Sequence, residues 1–236
     1  MDTALRRALD LLIDPPAEPD VSHGYLDLLG TGGDTPTNTG FIQKVWASPV
    51  GSMLYDRAQL LNRRLLAATR PPIKWLDIPA GGTALDVGSG PGNITGALAR
   101  AAGPDGVALG VDISLPMLAR AVKAEAGPQV GFLRADAQRL PFRADSFDAV
   151  ISLAVLQLIP DWTAALSEMV RVLRPGARMA VMVPTAGPAT AMPVFAKGGA
   201  RMFTDDELGD VFEELGLVGV RTKSLGFIQW VRGQKR

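Results

Sequence analysis

The chain of 236 residues contains no cysteine, a single histidine, and no excess of either charge, with 24 Lys plus Arg against 24 Asp plus Glu. The absence of cysteine excludes disulfides, thiolate metal ligands and thiol nucleophiles. Balanced charge leaves no net field toward a phosphate backbone or an anionic lipid surface, so nucleic acid is not the expected partner. Long apolar runs are missing too. The longest, Ala149 to Ile159, contains Ser152 and Gln157 and stops at Pro160, short of the roughly 20 residues a bilayer-spanning helix requires. At the N-terminus Asp10 and Asp14 interrupt the apolar stretch a signal peptide would need, and a cytoplasmic location is the expectation.

What the chain does have is apolar side chains, 47% of the total, with 26 glycines and 18 prolines. That composition supports a full core and a fold with many tight turns. Two textures divide it. Residues 1–72, with Pro15-Pro16, a Gly/Thr-rich stretch from Gly30 to Gly40 and Pro71-Pro72, read as linkers around short helices. The best helix there is about Val50 to Thr69, with Met53, Leu54, Leu61 and Leu65 at helical spacing, and this N-terminal helical segment is expected to cover the domain formed by residues 73–236.

From Gly82 onward short apolar runs alternate with helical patterns. The strands are Ala84 to Val87, Val107 to Val111, Val130 to Leu133, Phe147 to Leu153 and Arg178 to Val183; the helices are Ile94 to Ala101, Leu115 to Glu125 and Trp162 to Val172. The alternation predicts an α/β fold, a doubly wound, mostly parallel sheet covered on both faces. After Asp205 a helix to Leu215 is followed by Val218 to Lys223 and Phe227 to Val231. Their tight join at Leu225-Gly226 leaves no room for a crossover, so these two strands must be antiparallel.

Three features sit at three successive strand ends. The first is Asp86-Val87-Gly88-Ser89-Gly90-Pro91-Gly92, a strand, a glycine turn and a helix start, where the main chain can approach a ligand and a helix N-terminus offers N–H donors. A plain strand-to-helix turn is the alternative reading. A nicotinamide-binding fingerprint would place a small residue where Asn93 stands, so that rival fits less well. The second feature is Asp112 in Gly110-Val111-Asp112-Ile113-Ser114, a carboxylate able to accept both hydroxyls of a ribose. It or Ser114 could equally cap the helix from Leu115. The third is Asp136 in Arg134-Ala135-Asp136-Ala137, where a carboxylate and a backbone N–H can address an adenine edge, or where Asp136 serves a turn. Together the three point to one ligand across three strand ends.

These residues, with Leu140-Pro141-Phe142, Asp145-Ser146-Phe147-Asp148-Ala149-Val150 and Arg171-Val172-Leu173-Arg174-Pro175-Gly176, give the chain from Ala84 onward a resemblance to the class I S-adenosylmethionine methyltransferases. It resembles in particular the small-molecule branch that includes the quinone-biosynthesis methyltransferases. The resemblance implies a Rossmann-like, seven-stranded sheet with an antiparallel last strand and S-adenosylmethionine as cofactor. It implies that Asp86 and the turn Gly88, Ser89, Gly90 and Gly92 hold the methionine end, Asp112 the ribose, and Asp136 with Ala137 the adenine. Ser152 would lie near the reactive methyl, and Tyr55, Ile113 and Met117 complete the cofactor set.

Two departures narrow the chemistry. Many relatives carry a His after the fourth strand near the position of Gln157, whereas this chain reads Leu156-Gln157-Leu158. The Asn/Asp-Pro-Pro-Tyr-like turn of nucleobase amine methyltransferases is absent from Ser152-Leu153-Ala154-Val155. Methyl transfer from a sulfonium requires alignment more than a base, and the only histidine, His23, is a weak candidate for one. No metal is expected. The acceptor is expected to be a small, largely apolar molecule methylated on oxygen or carbon, in a pocket between Met192, Phe195, Met202 and Phe203 on one side and Trp46, Met53 and Tyr55 on the other. A sensor or assembly protein that binds the cofactor without turnover would carry the same three features, and a nicotinamide oxidoreductase is the third reading.

Gly90→Val is expected to abolish cofactor binding in calorimetry while circular dichroism keeps most of the secondary structure. General unfolding would make the glycine structural first.

Overall fold

The computed structural model describes residues 2–30, 71–185, 201–226 and 228–236. The helix expected over Val50 to Thr69, and with it Tyr55, Trp46 and Met53, lies outside the described residues, as do Met192 and Phe195. In chain order the elements are α1 (Thr3–Leu11), β1 (Leu26–Asp27), α2 (Ile73–Leu76), β2 (Thr83–Val87), α3 (Asn93–Ala102), β3 (Val107–Asp112), α4 (Leu115–Glu125), β4 (Val130–Arg134), β5 (Phe147–Leu153), α5 (Trp162–Val172), β6 (Leu173–Pro184), α6 (Glu207–Glu214), β7 (Leu217–Leu225) and β8 (Ile228–Lys235). Single 3-10 turns occupy Ala137–Arg139 and Leu156–Leu158.

One sheet runs β1-β4-β3-β2-β5-β6-β8-β7. β1 to β6 pair in parallel, and β8 lies antiparallel between β6 and β7. The expected seven strands are present as β2 to β8, and the antiparallel join near Gly226 is as read. The added strand is β1, two residues held on the edge of β4 by pairing Leu26 with Leu133 and Asp27 with Arg134. The Arg134 guanidinium fixes it, Nη1 donating to Asp27 Oδ2 at 3.0 Å and to Gly30 O at 2.9 Å.

Both faces of the sheet are covered, which is why β2, β4 and most of β5 are buried on successive residues instead of on alternate ones. One layer is built from α1, α5 and α6, burying Leu5, Leu166, Met169 and Phe212. The opposite layer is built from α2, α3 and α4, burying Leu76, Leu98, Leu118 and Ala121. Among the described residues no helix is long and apolar enough to cross a membrane.

α1 is a helix the patterns did not single out. It buries Ala4, Leu5 and Ala8 against the sheet, close enough that a Cβ on Gly131 would lie 3.2 Å from both Ala4 Cβ and Leu5 Cδ2. Ala4, Leu5, Ala8, Leu12 and Leu26 are therefore part of the core. Deleting residues 1–45 would remove a core helix together with any cover, so a change confined to residues 31–45 is needed to separate the two effects. Leu5→Ala is expected to lower the unfolding free energy by about 2–4 kcal/mol, measured by urea melts; a change below 1 kcal/mol would show that α1 is dispensable.

Candidate functional site

The chain leaves β2 toward β3 and β4 on one side, then returns to add β5 and β6 on the other. The strand order therefore reverses between β2 and β5, and crevices beyond the carboxyl ends of the strands at such a point are where α/β proteins place ligands. The glycine turn lies at this point. Gly88, Gly90 and Gly92 have φ of 75°, 51° and 87°, a region that side chains other than glycine rarely enter. Space adds a second constraint at Gly88, since a methyl group there would fall 2.2 Å from Val155 Cγ2.

The turn spends its N–H groups inside the protein. Gly88 N and Ser89 N both donate to Val111 O, at 2.7 and 3.0 Å, and Gly92 N donates to Ser89 O at 3.0 Å. Gly90 N donates to Asp112 Oδ2 at 2.8 Å. These four donors are therefore engaged within the protein. A ligand phosphate gains nothing from them, which weakens the nicotinamide reading further.

Two carboxylates stand on the same face of neighbouring strands. Asp86 is 2% exposed and accepts from Thr95 Oγ1 of α3 at 2.7 Å. Burial pushes its pKa up to about 7, the Thr95 hydrogen bond opposes that, and the nearby Asp112 charge adds to it. Asp112 also accepts from Ser114 N at 2.8 Å. Burial raises its pKa above the usual carboxylate range, against the pull of the backbone N–H groups of Ser114, Gly90 and Ile113. Among the described residues neither carboxylate is in an ion pair. Ser114 stands at the N-cap of α4 but its side chain makes no capping bond, so the suggested cap is corrected: the hydrogen bond runs from its backbone N–H to Asp112.

Asp136 is half-buried and caps the following 3-10 turn, accepting from Gln138 N at 2.9 Å. Ala137 starts that turn, Ile113 is half-buried beside Asp112, and Met117 is buried on α4. Ser152 is fully buried, its Oγ donating to Val87 O at 2.9 Å, so it ties β5 to β2 beneath the turn. Ser89 Oγ is different: it is buried at the turn with no hydrogen-bond partner among the described residues. His23 is exposed and stacks on Tyr25, ring centroids 5.9 Å apart; no described contact brings it to the glycine turn. Phe203, expected to face the acceptor, is instead fully buried, edge-on to Trp162 at 5.2 Å.

A family model of a methyltransferase domain matches residues 85–181. A demethylmenaquinone methyltransferase of Bacillus licheniformis is 34% identical over 174 residues, covering 62% of this chain and 75% of that one. One from Staphylococcus aureus is 34% identical over 180 residues, covering 64% and 74%. The chain belongs to the class I S-adenosylmethionine-dependent methyltransferases. The methyltransferase fold is shared with a solved S-adenosylmethionine-dependent methyltransferase from Thermotoga maritima, with TM-score 0.65, 23% identity, and 83% and 100% of the two chains covered. It is shared as well with Haemonchus contortus phosphoethanolamine N-methyltransferase 2 solved with S-adenosylmethionine, with TM-score 0.60, 18% identity, and 83% and 57% covered.

S-adenosylmethionine is the cofactor of this methyltransferase, and the residues present fit it. The ligand is a cation at sulfur and at its amino group, and the crevice offers the buried Asp86 and the half-buried Asp112, neither with a basic partner among the described residues, and the orphaned Ser89 hydroxyl. Among the described residues no His, Asp or Glu cluster is arranged to hold a metal ion.

The raised carboxyl of Asp86 sets a pH signature. Folded protein keeps a proton that the unfolded carboxyl, with its ordinary value of 3.8, has already released. Stability therefore falls as pH rises from about 4 through about 7, and the cost is complete above that. Asp86→Asn, which cannot ionise, should gain stability relative to wild type across this window and level off above it. Thermal melts of the cofactor-free protein between pH 4 and 8 read the difference, and a gap independent of pH would overturn the assignment.

Proposed function

We propose that this methyltransferase transfers a methyl group to oxygen or carbon of a small, largely apolar acceptor. The observation that carries the reading is the convergence of the Asp86 turn, Asp112 and Asp136 at the carboxyl ends of three adjacent strands, next to the reversal between β2 and β5. In it, Asp86 with Gly88, Ser89, Gly90 and Gly92 supports the methionine end. Asp112 takes the ribose hydroxyls: each of its oxygens already accepts one N–H, and a carboxylate has lone pairs for more. Asp136 and Ala137 face the adenine edge, with Ile113 and Met117 packing on the base and Ser152 bracing the floor under the methyl. The cofactor supplies the methyl group on a good leaving group.

What the protein contributes is alignment and exclusion of water, which together can supply much of the acceleration for an in-line displacement. No general base is required, and neither His23 nor any other described residue is assigned as one. The relatives are named for a quinone precursor, which supports an aromatic, quinone-like or lipid-like acceptor of that size and polarity. The cover expected of residues 1–72 does not include α1 and β1, which belong to the domain's own core and sheet, and the cytoplasm is the proposed location. A protein that binds the cofactor without turnover is the second reading, kept because the same three strand ends would serve it.

Transfer of radiolabelled methyl from S-adenosylmethionine to a panel of hydroxylated aromatic and quinol compounds tests the reading; a product with an apolar acceptor is expected. Tight cofactor binding with no transfer to any acceptor would favour the non-catalytic binder, and turnover only with highly charged acceptors would overturn the apolar pocket. Asp112→Asn should raise the Kd for S-adenosylhomocysteine about 10- to 100-fold, corresponding to the roughly 1.5–3 kcal/mol carried by a hydrogen bond to a charged group. Unchanged affinity in calorimetry would remove Asp112 from the ribose.

A further inference from the structure

Beyond β5 the chain makes a turn that packs directly on the cofactor side of the site. Ala154 has φ of 55° although it is not glycine, a conformation that L-residues rarely adopt. Its N–H donates to Met182 O at 2.9 Å. Val155 follows, with its methyl groups against Gly88. Gln157 comes two residues later, in the 3-10 turn Leu156–Leu158. Its backbone carbonyl accepts from Arg201 N at 3.0 Å, which joins this turn to the segment entering α6. Gln157 thus lies on a turn that touches the glycine turn through Val155 and the segment entering α6 through Arg201.

The side chain of Gln157 is oriented by one bond. Its Nε2 donates to Ala154 O at 2.6 Å. A carbonyl can only accept, so the amide must turn its NH2 group toward Ala154, and this fixes which end is left over. The end left over is Oε1, buried, with no hydrogen-bond partner among the described residues. A buried acceptor without a donor costs free energy that a native structure normally avoids. The neighbouring cation does not relieve it: the Arg201 guanidinium lies over the Trp162 ring at 5.2 Å and the Phe203 ring at 5.5 Å and is paired with Glu207.

We propose that Gln157 is a specificity-determining residue that orients the methyl acceptor, its Oε1 accepting a hydrogen bond from an acceptor hydroxyl. The proposal rests on the methyltransferase reading above and narrows it to acceptors that carry an O–H donor on an apolar ring system. A neutral amide accepts a hydrogen bond without taking up the proton near neutral pH, so Gln157 holds the hydroxyl and leaves its ionisation to the acceptor itself. The strained turn at Ala154 is what aims the amide, because the Ala154 carbonyl is the partner that locks it.

The test uses the full chain loaded with S-adenosylhomocysteine and two probes of similar size, 2-naphthol, which has the O–H donor, and 2-fluoronaphthalene, which lacks it. Calorimetry gives the ratio of their Kd values for wild type and for Gln157→Met, which keeps length and apolar volume and loses the amide oxygen. The ratio is expected to move about tenfold against 2-naphthol in the variant, equivalent to about 1.4 kcal/mol. S-adenosylhomocysteine affinity and the circular dichroism spectrum should stay unchanged. Gln157→Lys retains a donor for Ala154 O and removes the acceptor, so it should lose the preference as the Met variant does. A ratio that moves less than threefold in both variants would overturn the role of Gln157. Failure of both probes to bind a protein that does bind S-adenosylhomocysteine would overturn the hydroxylated apolar class. Failure to bind S-adenosylhomocysteine itself would instead count against the methyltransferase reading.

Discussion

One carbonyl group, Val111 O at the end of β3, sets the shape of the site. By accepting from both Gly88 and Ser89 it draws the chain leaving β2 sideways over its neighbour before α3 begins. Each such bond is worth only about 1 kcal/mol net, but the geometry they enforce is shared by everything around them. The turn can lie that low because Gly110 presents no side chain: a Cβ there would come within 2.8 Å of Ser89 Cβ and 2.7 Å of the Phe132 ring. On the other flank Val155 occupies the space a side chain on Gly88 would need, so the wall beyond β5 is positioned by the same bend.

The electrostatics follow from that packing. Asp86 reaches α3 through Thr95, and Asp112 reaches the turn through Gly90. Each carboxylate therefore has hydrogen bonds but no counter-ion among the described residues, an arrangement that leaves burial to dominate and favours the protonated acid. A cationic ligand would supply the missing charge. With the N–H groups of Gly88, Ser89, Gly90 and Gly92 engaged, the turn differs from one whose N–H groups stand open to a phosphate.

Much of the fold was legible because burial on both faces writes itself into the sequence. Phe147 to Leu153, Leu115 to Glu125 and Trp162 to Val172 were read with the boundaries the structure gives, since each is a continuous apolar run or a clean helical stripe ended by turn residues. β6 starts earlier than Arg178, at Leu173, because pairing of Phe147 with Leu173 across a register shift recruits Arg174-Pro175-Gly176 into the strand. β1 could not be read, as two residues carry no period and their pairing is set by β4. α1 escaped because two of its three buried side chains are alanines, interspersed with Arg6, Arg7 and Asp10, which are not buried. At the site, the glycines were legible from their need for positive φ. The partners of Asp112 and the orientation of Gln157 were not, because both depend on backbone groups distant from any sequence pattern.

β8 follows β7 in sequence yet lies between β6 and β7 in the sheet. β7 has no other strand to pair with, so it cannot join the sheet until β8 has done so. Up to that moment β6 is a bare edge with unpaired N–H and C=O groups, and α6 lacks most of the surface that buries Phe212. The two outer strands thus join the sheet against the order in which the chain is made, and β7 and the burial of Phe212 both depend on the pairing of β8.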